Sequence, residues 1–105
     1  MTRQEFEAII KEVNEAQCCS VHDVEDECEL FAKAKPKPVA LCLDVDKHRW
    51  YETSVNVYAI GEWFLGVAGV SDIFSESMGY DDCCVKTTAF EMEAVPSVTY
   101  KRKEN

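Results

Sequence analysis

Between Arg49 and Phe74 two runs rich in β-branched and aromatic residues flank a glycine-led pair. The first runs from Arg49 to Ile60, the second from Trp63 to Val70, and Gly61-Glu62 separates them. Two such runs joined by two residues with glycine first predict a β-hairpin with a type II′ turn, since glycine takes a positive φ without steric cost. Successive strand residues point to opposite faces. The alternation sets Tyr51, Thr53, Val55, Val57 and Ala59 on one side, which is expected to be the core side. Trp50, Glu52, Ser54, Asn56 and Tyr58 form a mixed, partly wet side.

The chain before the hairpin reads as helix. Thr2 and Glu5 have capping-box spacing, and Phe6, Ile9, Ile10 and Val13 recur at helical intervals, so residues 3–17 are expected to be helical. Ser20 with Asp23 starts a second helix over 21–34, with Val21, Val24, Cys28 and Phe31 sharing one face. Its apolar register nearly continues the first, so one long kinked helix is the alternative. Pro36 and Pro38 end the helical region and force an extended connector. A strand follows over 39–45, with Leu41, Leu43 and Val45 on one face and Cys42, Asp44 and Asp46 on the other. Residues 71–82 read as a loop, 83–95 as a strand and 98–101 as a short last strand. Helices followed by strands predict one α+β domain over 1–105, helical over residues 1–35 and sheet over residues 38–101. One or two N-terminal helices pack on an antiparallel sheet of four to five strands.

Charge narrows the partners. Eleven basic residues stand against 20 acidic ones, a net charge of −9. Such a chain repels nucleic acid and anionic lipid and is complementary to a basic protein surface. No apolar run of about 18 residues is present to span a bilayer. Met1 to Glu7 lacks the apolar core of a signal peptide, so the six cysteines are expected to be reduced thiols in a cytoplasm. In each adjacent pair, Cys18-Cys19 and Cys83-Cys84, one thiol is expected to enter the core.

Catalytic signatures are lacking. His22 and His48 sit in no known nucleophile motif. Asp44 and Asp46 flank Val45 without the glycine loop that accompanies phosphoryl chemistry. Cys18, Cys19, His22 and Cys28 lack a Cys-x-x-Cys knuckle, and a zinc site would need Cys42 or the Cys83-Cys84 pair. The expectation is no enzyme, no cofactor and no metal, with a small zinc or thiol protein as a lesser alternative.

The acidic clusters are the most distinctive feature. Asp23, Glu25, Asp26, Glu27 and Glu29 fall within seven residues, and Asp72, Glu76, Asp81 and Asp82 line the long loop around Tyr80. Carboxylates on a rigid surface imitate a phosphate backbone and fit a partner's Lys/Arg groove. Trp50, Tyr58, Trp63 and Tyr80 are candidate anchors, because Trp and Tyr dominate interface hot spots. These ten residues, the nine acids with Tyr80, form the expected partner-binding set. The alternative is a regulatory or structural homodimer without catalytic activity, joined through the sheet edge or the Trp50/Tyr58 face.

Arg49-Trp50-Tyr51-Glu52, Ser75 to Asp82, Phe90 to Val95 and Thr99-Tyr100-Lys101 together resemble short, mostly uncharacterised proteins of phages and mobile elements in Gram-positive gut bacteria. The resemblance covers roughly the C-terminal half and carries no functional motif. It implies a viral context in which small acidic proteins bind host proteins, anti-CRISPR inhibitors being the best-known class. The resulting expectation is an inhibitor of a host nucleic-acid-binding defence protein, acting as a nucleic-acid mimic.

Overall fold

Thr2 caps the first helix as its spacing predicts: its Oγ1 accepts the Glu5 N–H at 3.2 Å. The computed structural model describes residues 1–75, 77, 79, 85–95 and 99–103, with the backbone alone at 95, 99 and 101. Helix α1 (Arg3–Ala16) leads into a 3-10 turn (Val21–Asp23), α2 (Val24–Glu27) and α3 (Glu29–Lys33). Five strands follow: β1 (Lys37–Lys47), β2 (Tyr51–Ile60), β3 (Trp63–Ile73), β4 (Thr88–Val95) and β5 (Thr99–Arg102). Each pairs antiparallel with the next, in the order β1-β2-β3-β4-β5. The fold is α+β, with the helices packed on one face of the sheet.

The β2–β3 hairpin forms in the expected register, with Ile60 opposite Trp63. Gly61 takes the positive φ of 61° that the tight turn demands. The helices, however, cover the face opposite to the expected one, although Val57 on the expected face is also buried. Phe31 meets Tyr58 edge-on at 5.1 Å, and Phe6 stacks on Trp63 at 5.5 Å. The helices therefore cover the face of Ser54, Asn56, Tyr58 and Ile60, where Leu65, Val67 and Ala89 join the core. Alternation settles which side chains share a face; it does not choose the face that receives the helices. Here the helix layer takes the side carrying the Trp63 and Tyr58 rings.

The second helix is also corrected. Val21, Val24, Cys28 and Phe31 are all buried, as their shared face predicts. The helix itself breaks at Cys28, whose backbone is extended (φ −112°, ψ 98°). The cause lies on α1: the two carboxylate oxygens of Glu12 accept the N–H groups of Leu30 at 3.0 Å and Phe31 at 3.1 Å. A carboxylate from another helix thus satisfies the donors that open α3.

Strand β1 does not alternate. Cys42 and Asp44 adopt positive φ values of 58° and 47°, and the pairing with β2 shifts three times. Ala40, Leu43 and Asp46 therefore oppose Val57, Val55 and Thr53. The extra residues re-aim the strand, as β-bulges do. Leu41 and Val45 are consequently exposed rather than core. Strand β3 runs on to Ile73, beyond the expected loop start, and β4 begins at Thr88 rather than at residue 83. Cys83 and Cys84 lie outside the described residues. Of the other pair, Cys18 is buried and Cys19 partly exposed, as expected.

Asn14 fastens α1 to β4. Its Nδ2 donates to the Ala89 carbonyl at 3.0 Å and its Oδ1 accepts the Ala89 N–H at 2.8 Å. The side-chain amide completes backbone pairing where β5 does not reach.

Candidate functional site: an acidic groove between the helices and the sheet

Ser20 Oγ accepts the His22 N–H at 3.1 Å and so opens the 3-10 turn. The turn presents the His22 ring to β3, where Nε2 donates to the Ser71 carbonyl at 2.8 Å. Ser71 is the extra residue of a bulge, because Glu52 pairs with Asp72 while Thr53 pairs with Val70. Its hydroxyl donates to the Glu52 carbonyl at 3.4 Å. Asp72 Oδ1 accepts the Ile73 N–H at 2.8 Å, which holds that carboxylate at the strand end.

Between this junction and β1 opens a groove of about 470 Å³. Three carboxylates line it, Glu25 from α2, Glu52 from β2 and Asp72 from β3. Pro38, Leu41 and Tyr58 supply its apolar wall. The left-handed turn of β1 directs the Cys42 N–H to Asn56 Oδ1 at 3.1 Å. Burial raises the pKa of the Tyr58 hydroxyl, and the negative charge of Glu25 raises it further, against a hydrogen bond from Asn56. Tyr58 thus stays a neutral phenol on the wall of an anionic recess.

The expected site residues divide. Glu25 and Asp72, from different acidic clusters, reach the same groove. Asp26 joins Glu25 beside a smaller recess against Phe31 and Pro36. Glu27 instead acts on the Cys18 thiol, whose pKa it raises. Glu29 pairs with Lys33 at 3.0 Å, and Asp23 closes the 3-10 turn half-buried. The break at Cys28 separates Glu29 from the groove. Glu76, Tyr80, Asp81 and Asp82 lie outside the described residues. Glu52 escaped the sequence pattern because it stands alone between aromatic and β-branched neighbours. Of the candidate anchors, Tyr58 and Trp63 pack in or against the core, while Trp50 is exposed under the Arg49 guanidinium, 4.8 Å from its ring.

The two buried thiols are unlike a reactive site. Burial pushes the pKa values of Cys18 and Cys28 upward, and Glu27 adds to the rise at Cys18. Both remain protonated and poorly nucleophilic. Among the described residues no three His, Cys, Asp or Glu side chains gather in a metal-holding arrangement. The His48 ring stacks on Tyr51 at 4.5 Å, with Nε2 3.5 Å from Asp46 Oδ2, in the turn between β1 and β2. Among the described residues no helix is long and apolar enough to cross a membrane. Comparison with protein-family models, curated proteins and solved structures finds no match to the chain.

Proposed function

We propose that this protein is a non-catalytic, acidic binding protein of a phage or mobile element. It inhibits a host nucleic-acid-binding defence protein, in the manner of an anti-CRISPR, by offering carboxylates to that protein's basic groove. The observation that carries this reading is the convergence of Glu25, Glu52 and Asp72 on one groove from three separate elements. Carboxylates lining one recess on a rigid scaffold offer a negative surface to a cationic side chain. An arginine or lysine of the partner can lay its stem on Leu41 and Tyr58 while its head meets the carboxylates. A net charge of −9 steers the encounter and makes it sensitive to salt. The reading implies action in the cytoplasm of a bacterial host.

Charge reversal tests it. Glu25→Lys, Glu52→Lys and Asp72→Lys together should abolish the protein's ability to displace labelled DNA from a purified CRISPR effector. Displacement that survives this triple change excludes the groove.

A further inference from the structure

The sheet has a second face, turned away from the helices. The β2–β5 register places Val55, Ala59, Phe64, Ala68, Phe90 and Tyr100 on it, all of them partly exposed, around Val57, Val70 and Met92, which are already buried. Phe64 and Tyr100 lie with ring centroids 5.2 Å apart, and the Arg102 guanidinium sits 4.9 Å from the Phe90 ring. Gly66 lies beneath Phe90 and Met92, so this side is already partly packed by its own side chains. Among the described residues of β2 to β5 the face carries no carboxylate, although the chain has 20. Glu91 points to the helix side, where it meets Arg3, and Glu52 and Asp72 face the groove. Asp46, opposite Thr53 on β1, stands at its margin.

We infer that this face is the interface of a homodimer, two copies packing back to back as a sheet sandwich. Two chains of charge −9 repel each other, and a carboxylate-free surface is where they can meet at least cost. A basic partner, in contrast, would be recognised by carboxylates that this face lacks. With β1 at its margin, the sheet of five strands, about 4.8 Å apart and about eight residues long, presents roughly 600 Å² in projection. That lies at the lower end of stable interfaces, about 600–1,000 Å² per partner. The interface is isologous, with sheets about 10 Å apart, and leaves both acidic grooves outward. This dimer does not depend on the proposed function, and its test involves no partner protein.

Salt separates the two interactions. Screening weakens binding at the acidic groove but relieves repulsion between copies, so the dimer tightens as salt rises. Sedimentation equilibrium of the full chain from 0.05 to 1 M NaCl, concentrations set by the experiment, should give twice the chain mass of 11.9 kDa, with a Kd that falls as salt increases. Ala68→Glu, and Thr88→Glu at the exposed position opposite it, should each weaken the dimer at least tenfold with an unchanged circular dichroism spectrum. Should Ala68→Glu unfold, Thr88→Glu decides. Trp50→Glu, on another exposed surface, should leave the dimer intact. A monomer at every salt concentration overturns the inference. So does a dimer that Thr88→Glu leaves intact, or one that Trp50→Glu dissolves.

Discussion

Arg3, at the start of α1, grips Glu91 in β4 with a two-pronged ion pair, Nη2 to Oε1 at 2.6 Å and Nη1 to Oε2 at 2.8 Å. The parallel fork is the geometry in which guanidinium and carboxylate bind most strongly. Lys103 adds a third donor to Glu91 at 3.3 Å. One carboxylate thus ties the first helix, the fourth strand and the chain beyond β5 together.

The pair gives stability a pH signature. The hydrogen bond from Arg3, aided by Lys103, holds the Glu91 pKa below the usual carboxylate range. A depressed folded pKa contributes stability that is present above the unfolded value and lost as pH falls through the folded one. Glu91→Gln should therefore lower the Tm at pH 7. The difference from the parent chain should vanish in acid well below the ordinary carboxylate range. Thermal melts across pH check this; a difference that persists undiminished in acid would show that packing, not charge, holds the pair.

The Glu12 carboxylate acts as a cap supplied from a distance. Glu12→Ala should cost about 1–2 kcal/mol, the usual loss for a cap with charged hydrogen bonds. Hydrogen exchange should speed up at the Leu30 and Phe31 amides, which lose their acceptors. Urea unfolding and exchange monitored by NMR measure the two effects together.

Gly66 is needed for space rather than for backbone conformation. A Cβ there would lie 2.7 Å from both Phe90 Cε2 and Met92 Cγ. Gly66→Val should destabilise by about 1–3 kcal/mol, as overpacking does. Gly66→Val with Phe90→Leu should recover some of that loss. Denaturant midpoints of the single and double variants read the coupling.

The described thiols should fall into two classes. Cys42 is exposed and Cys19 partly so, whereas Cys18 and Cys28 are buried and held protonated. Iodoacetamide at pH 8 followed by peptide mass spectrometry should modify Cys42 in the native protein. Cys18 and Cys28 should react only after denaturant is added. Rapid native labelling of Cys28 would contradict the packing of α2 and α3 against the sheet.

Much of this fold is legible in residue order. Gly61 between two β-rich runs defines the hairpin, Thr2 and Glu5 define the start of α1, and the spacing of Val21, Val24, Cys28 and Phe31 defines a buried face. What escapes local pattern is what depends on distant partners. Nothing near Cys28 announces a break, because its cause is Glu12. The bulges of β1 come from left-handed Cys42 and Asp44, residues that carry no glycine signal. The two faces of β2 are both apolar enough to receive helices, so alternation could not rank them. The groove was half visible: Glu25 and Asp72 stood in acidic runs, but only folding brings Glu52 between them.

We propose that the groove's carboxylates, acting as a set, engage a basic nucleic-acid-binding surface. Fluorescence anisotropy of labelled target DNA on a purified CRISPR effector tests this. The chain is titrated in at two salt concentrations, beside the triple variant of Glu25, Glu52 and Asp72 to Lys. The account predicts that the parent chain releases the DNA, that higher salt weakens its hold, and that the triple variant is at least tenfold less effective while keeping its fold. DNA release by the triple variant equal to that of the parent chain, or no release by either, would contradict it.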